Sequence, residues 1–251
     1  MGEALLAGLI ESKWAEPEEM SVVEPDESRL EELQAKYKET IISAEILEST
    51  HFLLAVKPQT IPAICRELNK IRPNLVISIA AGVTTESIES YLPEETSVVR
   101  VMPNTPVMVG EGMAAIASGS HASKEDLDWT SSILSAVGEV VIVEENMLDA
   151  VTGLSGSGPA YLFLLAEAMI AAGVENGLDP SVADLLTRQT LLGASSLLSK
   201  SGVTPSELRA SVTSPNGTTA AAISYLENEN FLTMMGIAIA EATQRSKELG
   251  S

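Results

Sequence analysis

The sequence predicts an α/β protein with a doubly wound, mostly parallel sheet over residues 1–147, followed by an all-α domain over 148–251. Three observations lead there. Continuous apolar runs of strand length, such as HFLLAV (51–56) and LVISIAAG (75–82), alternate with helical stretches, as strands buried on both faces do. The strand signal stops after Asn146. Beyond it the chain reads as helices broken by GSGP (156–159), LDP (178–180), VTP (203–205) and SPNG (214–217).

In order, residues 2–13 carry Leu5, Leu6, Leu9 and Ile10 on a helical stripe that no strand precedes. Short strands are expected at 21–24 and 40–42, flanking a helix over 26–37 that opens with acidic residues. HFLLAV follows, then Lys57-Pro58 and a helix to about residue 71. LVISIAAG repeats the arrangement. TSVVRVMP (96–103), MAAIAS (113–118) and EVVIVE (139–144) add strands, with a helix over 124–137. The second half predicts helices over 159–176, 180–200, 204–211, 217–228 and 230–249. The first two carry apolar residues on more than one side, Leu185, Leu186, Leu191, Leu192, Leu197 and Leu198 among them, so a second copy of the chain is expected to cover them.

Composition narrows the function. With 15 basic against 35 acidic residues and a net charge of -20, the chain repels nucleic acid and acidic membrane surfaces. The single cysteine, Cys65, has no internal partner, and His51 and His121 stand apart from any metal-ligand spacing, so no metal site is expected. No apolar run reaches the roughly 18 residues needed for a membrane span, and no signal core opens the chain, so the cytoplasm is the expected address.

Several short stretches carry chemistry. AVKP (55–58) leaves a strand's carboxyl end, where open α/β sheets bind ligands; Pro58 fixes the exit and Lys57 offers a positive charge. Ala80, Ala81 and Gly82 follow another strand end with side chains small enough for a ring or phosphate to approach the backbone, or for helices to pack closely. Asn104 sits between two prolines, with an amide able both to donate and to accept. Glu24, at the end of the 21–24 strand, is placed to accept from a ribose hydroxyl, while Arg29 could turn toward a phosphate. In LRASVTSPNGTTAAAISYL (208–226), Pro215, Asn216 and Gly217 form a tight turn into a helix, and N–H groups flanked by hydroxyls there suit a carboxylate. On its own, that stretch is also an ordinary capped helix joint.

SPNGTT, AVKPQ (55–59), SIAAG (78–82), VRVMPNTP (99–106) and DAVTGLSGSGPAY (149–161), in this order and spacing, resemble the pyrroline-5-carboxylate reductases of proline biosynthesis. Asn216 stands where that family usually has glycine, and Asn tolerates a left-handed backbone. The resemblance implies a Rossmann-like dinucleotide-binding domain over 1–147 and a helical substrate-binding and dimerisation domain over 148–251. It further implies hydride transfer from NADPH or NADH to the C=N carbon of 1-pyrroline-5-carboxylate. Ser214, Gly217, Thr218 and Thr219 would hold the substrate, with Thr219 the one closest to catalysis. Gly2, Glu24, Ala55, Val56, Lys57, Pro58, Ala80, Ala81, Gly82 and Asn104 would line the cofactor site. Related imine reductases, hydroxy-acid dehydrogenases and a non-catalytic oligomerising homologue are the alternatives. Met1-Gly2-Glu3 resembles the end of the family's glycine loop, so the first strand and first two glycines are expected upstream of the given start, or lost.

Overall fold

In the computed structural model, which describes residues 1–250, the seven expected strands form: β1 (Ser21–Val23), β2 (Ile41–Ser43), β3 (His51–Leu54), β4 (Leu75–Ser78), β5 (Ser97–Pro103), β6 (Gly112–Ser118) and β7 (Gly138–Ile142). β1 and β2 make a parallel pair of their own. The others form one sheet in the order β3-β4-β5-β6-β7. Every neighbouring pair in it is parallel except β5 and β6, which run antiparallel because the connection 104–111 is too short for a crossover.

The alternation of side chains along the strands builds two layers. Leu75 and Ile77 of β4, Val99 and Val101 of β5 and Ile116 of β6 pack with Leu5 of α1 (Gly2–Glu11) and with Ile133 and Leu134 of α5 (Lys124–Leu134). The opposite face, through Leu54, Val76 and Val98, receives Ile61, Cys65 and Leu68 of α3 (Ile61–Ile71) and Ile88 of α4 (Thr85–Glu89). Ile61, Cys65 and Leu68 recur at helical spacing on one stripe, which is why the helix settles there. α6 (Leu148–Val151) covers the same face further along, Leu148 packing on Ala115 and Ala117. α2 (Glu27–Lys36), capped by the Asp26 carboxylate, completes this part of the chain.

The chain divides into Met1–Gly156, joined by the residues from Ala242 onward, and Ser157–Glu241. The expected boundary near residue 147 falls earlier because α6 and the π-helical turn Thr152–Gly156 fold with the sheet. Residues from 242 onward belong there too: Ser246 Oγ donates to Asp149 at 2.6 Å.

The second unit is built from α7 (Gly158–Glu175), α8 (Pro180–Lys200), α9 (Pro205–Ser211), α10 (Thr218–Asn228) and the first part of α11 (Phe231–Leu249). α7 ends in a left-handed Gly177 (φ 94°), with Leu178 N–H bonding Gly173 O and Gly177 N–H bonding Val174 O. Asp179 then caps α8 and Pro180 opens it. Gly173 lets Ala183 approach, so the two helices pack as a close hairpin. Of the apolar side chains in this unit only Ala183 is buried, while Phe163, Leu164, Leu185, Leu192 and Leu232 are each more than 60% exposed. The expectation that no stretch is apolar enough to span a membrane is corrected here: the helical run Glu145–Glu175 passes on length and composition, because a long helix tolerates the few charges that break an uninterrupted run.

Candidate active site

β3, β4 and β5 are parallel neighbours, with Leu54, Ser78 and Arg100 in register, so the segments that follow them leave from one end of the sheet. Ala55–Pro58, Ile79–Gly82 and Asn104 are brought together at that end, as the motifs predict. Ala55, Lys57, Pro58 and Ala81 are exposed, Val56 is half-buried, and Ala80 is buried. Lys57 N-caps a short 3-10 turn (Pro58–Thr60), its carbonyl accepting from Thr60 N–H and Oγ1. The start of α1 joins the group: a Cβ on Gly2 would lie 3.0 Å from Ala55 Cβ. No side chain caps α1, so its first N–H groups remain available to an anionic ligand.

Two of the expected cofactor residues are already occupied by the chain itself. Gly82 (φ 77°) has the end of α11 against it, where a Cβ would lie 3.1 Å from the Leu249 carbonyl. Its missing side chain therefore admits the chain's own C-terminal segment. Asn104 accepts from Met113 N–H at 2.8 Å and donates to Ser155 O at 3.3 Å, fixing the β5–β6 connection to the π-turn. One N–H and one lone pair of that amide remain.

Near β1, Glu24 accepts from the Asp26 N–H at 3.0 Å. Arg29 does not stand free: it pairs with Glu32 and with Glu3 of α1. Lys36 Nζ and Tyr37 Oη also reach Glu3, at 2.7 and 3.2 Å. The Lys36 ammonium, followed by Arg29 and Tyr37, holds the Glu3 carboxyl below its usual range against a partial desolvation that acts the other way. Sequence reasoning missed Glu3; its only signal was an acid in the first turn of the helix that begins at Gly2.

In the helical unit, Ser214 to Gly217 form a turn closed by Gly217 N–H to Ser214 O at 3.0 Å, with Pro215 second and Asn216 third. Asn216 takes φ 58°, the left-handed value expected of it, and the pattern is that of a type II turn. Gly217 is the N-cap of α10 and brings no side chain, and a Cβ there would meet Ser214 Oγ at 2.5 Å. Thr218 and Thr219 open the helix, Thr218 exposed and Thr219 half-buried. An ion pair between Arg209 and Glu227 holds α9 to α10 behind the turn. Uncapped N–H groups, a positive helix end and neighbouring hydroxyls together suit one carboxylate.

His51 opens β3, with Nδ1 2.8 Å from Thr50 Oγ1 and its ring against Trp129. The carbonyl of His121 accepts from Ser97 Oγ. Cys65 is fully buried, and burial pushes its thiol up to about 11, so it is not a nucleophile. Among the described residues no group of three metal-ligating side chains gathers.

Residues 1–82 match the family model described as NADP oxidoreductase, coenzyme F420-dependent, and residues 145–249 match pyrroline-5-carboxylate reductase dimerisation. A pyrroline-5-carboxylate reductase of Synechocystis sp. is 43% identical over 256 residues, spanning 100% of this chain and 95% of that protein. The chain belongs to the pyrroline-5-carboxylate reductase family. Among solved structures of such reductases, one from Coxiella burnetii agrees with a TM-score of 0.93 at 36% identity, over 100% of this chain and 95% of the other. The pyrroline carboxylate reductase of Plasmodium falciparum, solved with NADP bound, gives 0.86 at 28% identity, again over 100% and 95%. None of these reductase matches supports the expectation of a missing first strand. The dimerisation match covers the helices whose apolar faces lie bare, and the chain forms a homo-oligomer.

Proposed function

We infer that this chain reduces 1-pyrroline-5-carboxylate to L-proline with NADPH or NADH, the last step of proline biosynthesis. The observation that carries this is identity of 43% with a curated reductase across the whole chain. The substrate turn is consistent with it, since Asn216 takes the left-handed backbone that the usual glycine would.

When bound, the reduced nicotinamide supplies the hydride; the chain's own part is binding and orientation, because the C=N bond is already electrophilic. The N–H groups at the start of α10 and the hydroxyls of Ser214 and Thr218 hold the substrate carboxylate. Thr219, half-buried one residue further on, hydrogen-bonds the carboxylate or the ring nitrogen. Ala55–Pro58, Ala80, Ala81 and the start of α1 at Gly2 receive the dinucleotide, and the free N–H of Asn104 faces its carboxamide. A ribose hydroxyl finds an acceptor in Glu24. A 2′-phosphate is served by Arg29, once it is released from Glu3. The subunits associate through α7, α8 and α11, and the enzyme acts in the cytoplasm.

The test is dinucleotide oxidation on addition of pyrroline-5-carboxylate, run in parallel with NADPH and NADH and with proline identified as product. Turnover with either confirms the reading and ranks the two cofactors. Absence of turnover with both overturns it.

A further inference from the structure

Glu145 opens a short 3-10 turn (Glu145–Met147) between β7 and α6, outside every motif discussed above. Its carboxylate accepts from Thr85 N–H at 2.8 Å, from Thr85 Oγ1 at 2.7 Å and from Arg100 Nη1 at 3.1 Å. Thr85 and Arg100 are both buried, and the Arg100 side chain is only 9% exposed. Thr85 is the first residue of α4, a helix of five residues that begins three positions after Gly82. A helix that short does not hold itself together. Its N-terminal donors are taken instead by two outside groups: Thr84 Oγ1 accepts from Ser87 N–H, and Glu145 accepts from Thr85 N–H. Arg100 lies in register with Ser78, the last residue of β4, so the network ties α4 to the strand end from which the Ala80–Gly82 turn departs. The turn is thus bracketed between β4 on one side and the Glu145 contact on the other.

We propose that Glu145 is a positioning residue for dinucleotide binding, setting the Ala80–Ala81 turn through Thr85 and Arg100. This rests on the reading that the turn lines the cofactor site. Loss of the carboxylate removes both bonds to Thr85 and leaves the Arg100 guanidinium buried without its counter-charge, so the turn and α4 shift together.

The experiment compares the full-length enzyme with Glu145→Ala, Glu145→Gln and Thr85→Val. Dinucleotide affinity is read from NADPH fluorescence without imine, steady-state constants are taken for both substrates, and amide exchange is followed over residues 80–88. For Glu145→Ala the expected result is a rise of about tenfold in the NADPH Kd and KM, with faster exchange over 80–88 and an unchanged imine KM. Glu145→Gln, which keeps an acceptor for Thr85, gives an intermediate rise. Thr85→Val gives a smaller rise and serves as the probe should Glu145→Ala fail to fold. An NADPH Kd within twofold of the parent in both Glu145→Ala and Thr85→Val overturns the proposal. So does an equal rise in both KM values, which marks a general loss of structure. If the parent enzyme itself binds no dinucleotide, the functional reading fails first, and that result is distinct from either of these.

Discussion

The sheet unit and the helical unit solve the burial problem in opposite ways. In the first, both faces of β4 and β5 are covered from within the chain, and Leu75, Val76, Ile77, Val98 and Val99 are essentially inaccessible. In the second, Ala183 and Thr187 are the buried residues between 157 and 241, while leucines on α7 and α8 face outward. A set of helices with so little interior cannot offset the entropy of ordering it. The contrast teaches that the sheet unit carries its own core, whereas the helical unit leaves its apolar faces bare, which is what supports the proposed association of subunits through it.

Placing a charge on the helical face is the most direct way to break this contrast. Leu164→Asp combined with Leu185→Asp is expected to convert the oligomer to monomer in sedimentation velocity and to lower activity at least about a hundredfold, since burying an unpaired charge costs several kcal/mol. An oligomer that survives both changes would remove the helical face from the interface. In the sheet unit, Ile77→Ala should destabilise by about 2–5 kcal/mol through loss of packing, visible in denaturant unfolding, with subunit number unchanged. At the substrate turn, Thr219→Ala is expected to reduce kcat/KM by about tenfold or more, near 1.4 kcal/mol, with the melting temperature retained. Unchanged kinetics would take Thr219 out of the mechanism. Smaller still, Asn216→Ala should cost about 1 kcal/mol because alanine resists φ 58°, and Asn216→Gly should be near neutral; thermal unfolding of the two variants compares them.

The smallest effect concerns pH. Because the Lys36, Arg29 and Tyr37 contacts lower the Glu3 pKa in the folded protein, their stabilisation is present above the ordinary glutamate range and lost as pH falls through the lowered value. Glu3→Gln should flatten the acid side of a stability-versus-pH curve, and an identical slope in parent and variant would show that the cluster contributes nothing.

The strands and helices were legible because each carries its own periodicity: Ile61, Cys65 and Leu68 mark one helical stripe, and HFLL and LVIS are too apolar to lie anywhere but between layers. Strand ends were less so. The runs continue as Ala-Val and Ile-Ala-Ala, but the ladder stops at Leu54 and Ser78, since a small or apolar side chain does not report whether its backbone is paired. Asn216 was readable once the resemblance placed it where glycine is usual, because Asn tolerates a left-handed backbone. Gly82 was half readable: sequence gives the missing side chain but not what fills the space, and here Leu249 does. Asn104 likewise has an amide whose capacity is evident and whose partners are not. Glu145 left no signal, being 45 and 60 residues from Arg100 and Thr85.

The contact between α11 and the sheet unit has a consequence for synthesis on the ribosome. β4, the Ala80–Gly82 turn and Asp149 emerge early, but Ser246 and Leu249, which bond to and pack against them, emerge only after all of α7 to α10. The nascent sheet unit therefore waits, with that turn uncovered, until the helical segment has been made. On the proposed association through α7, α8 and α11, completion of the two units and association of subunits fall within the same late interval.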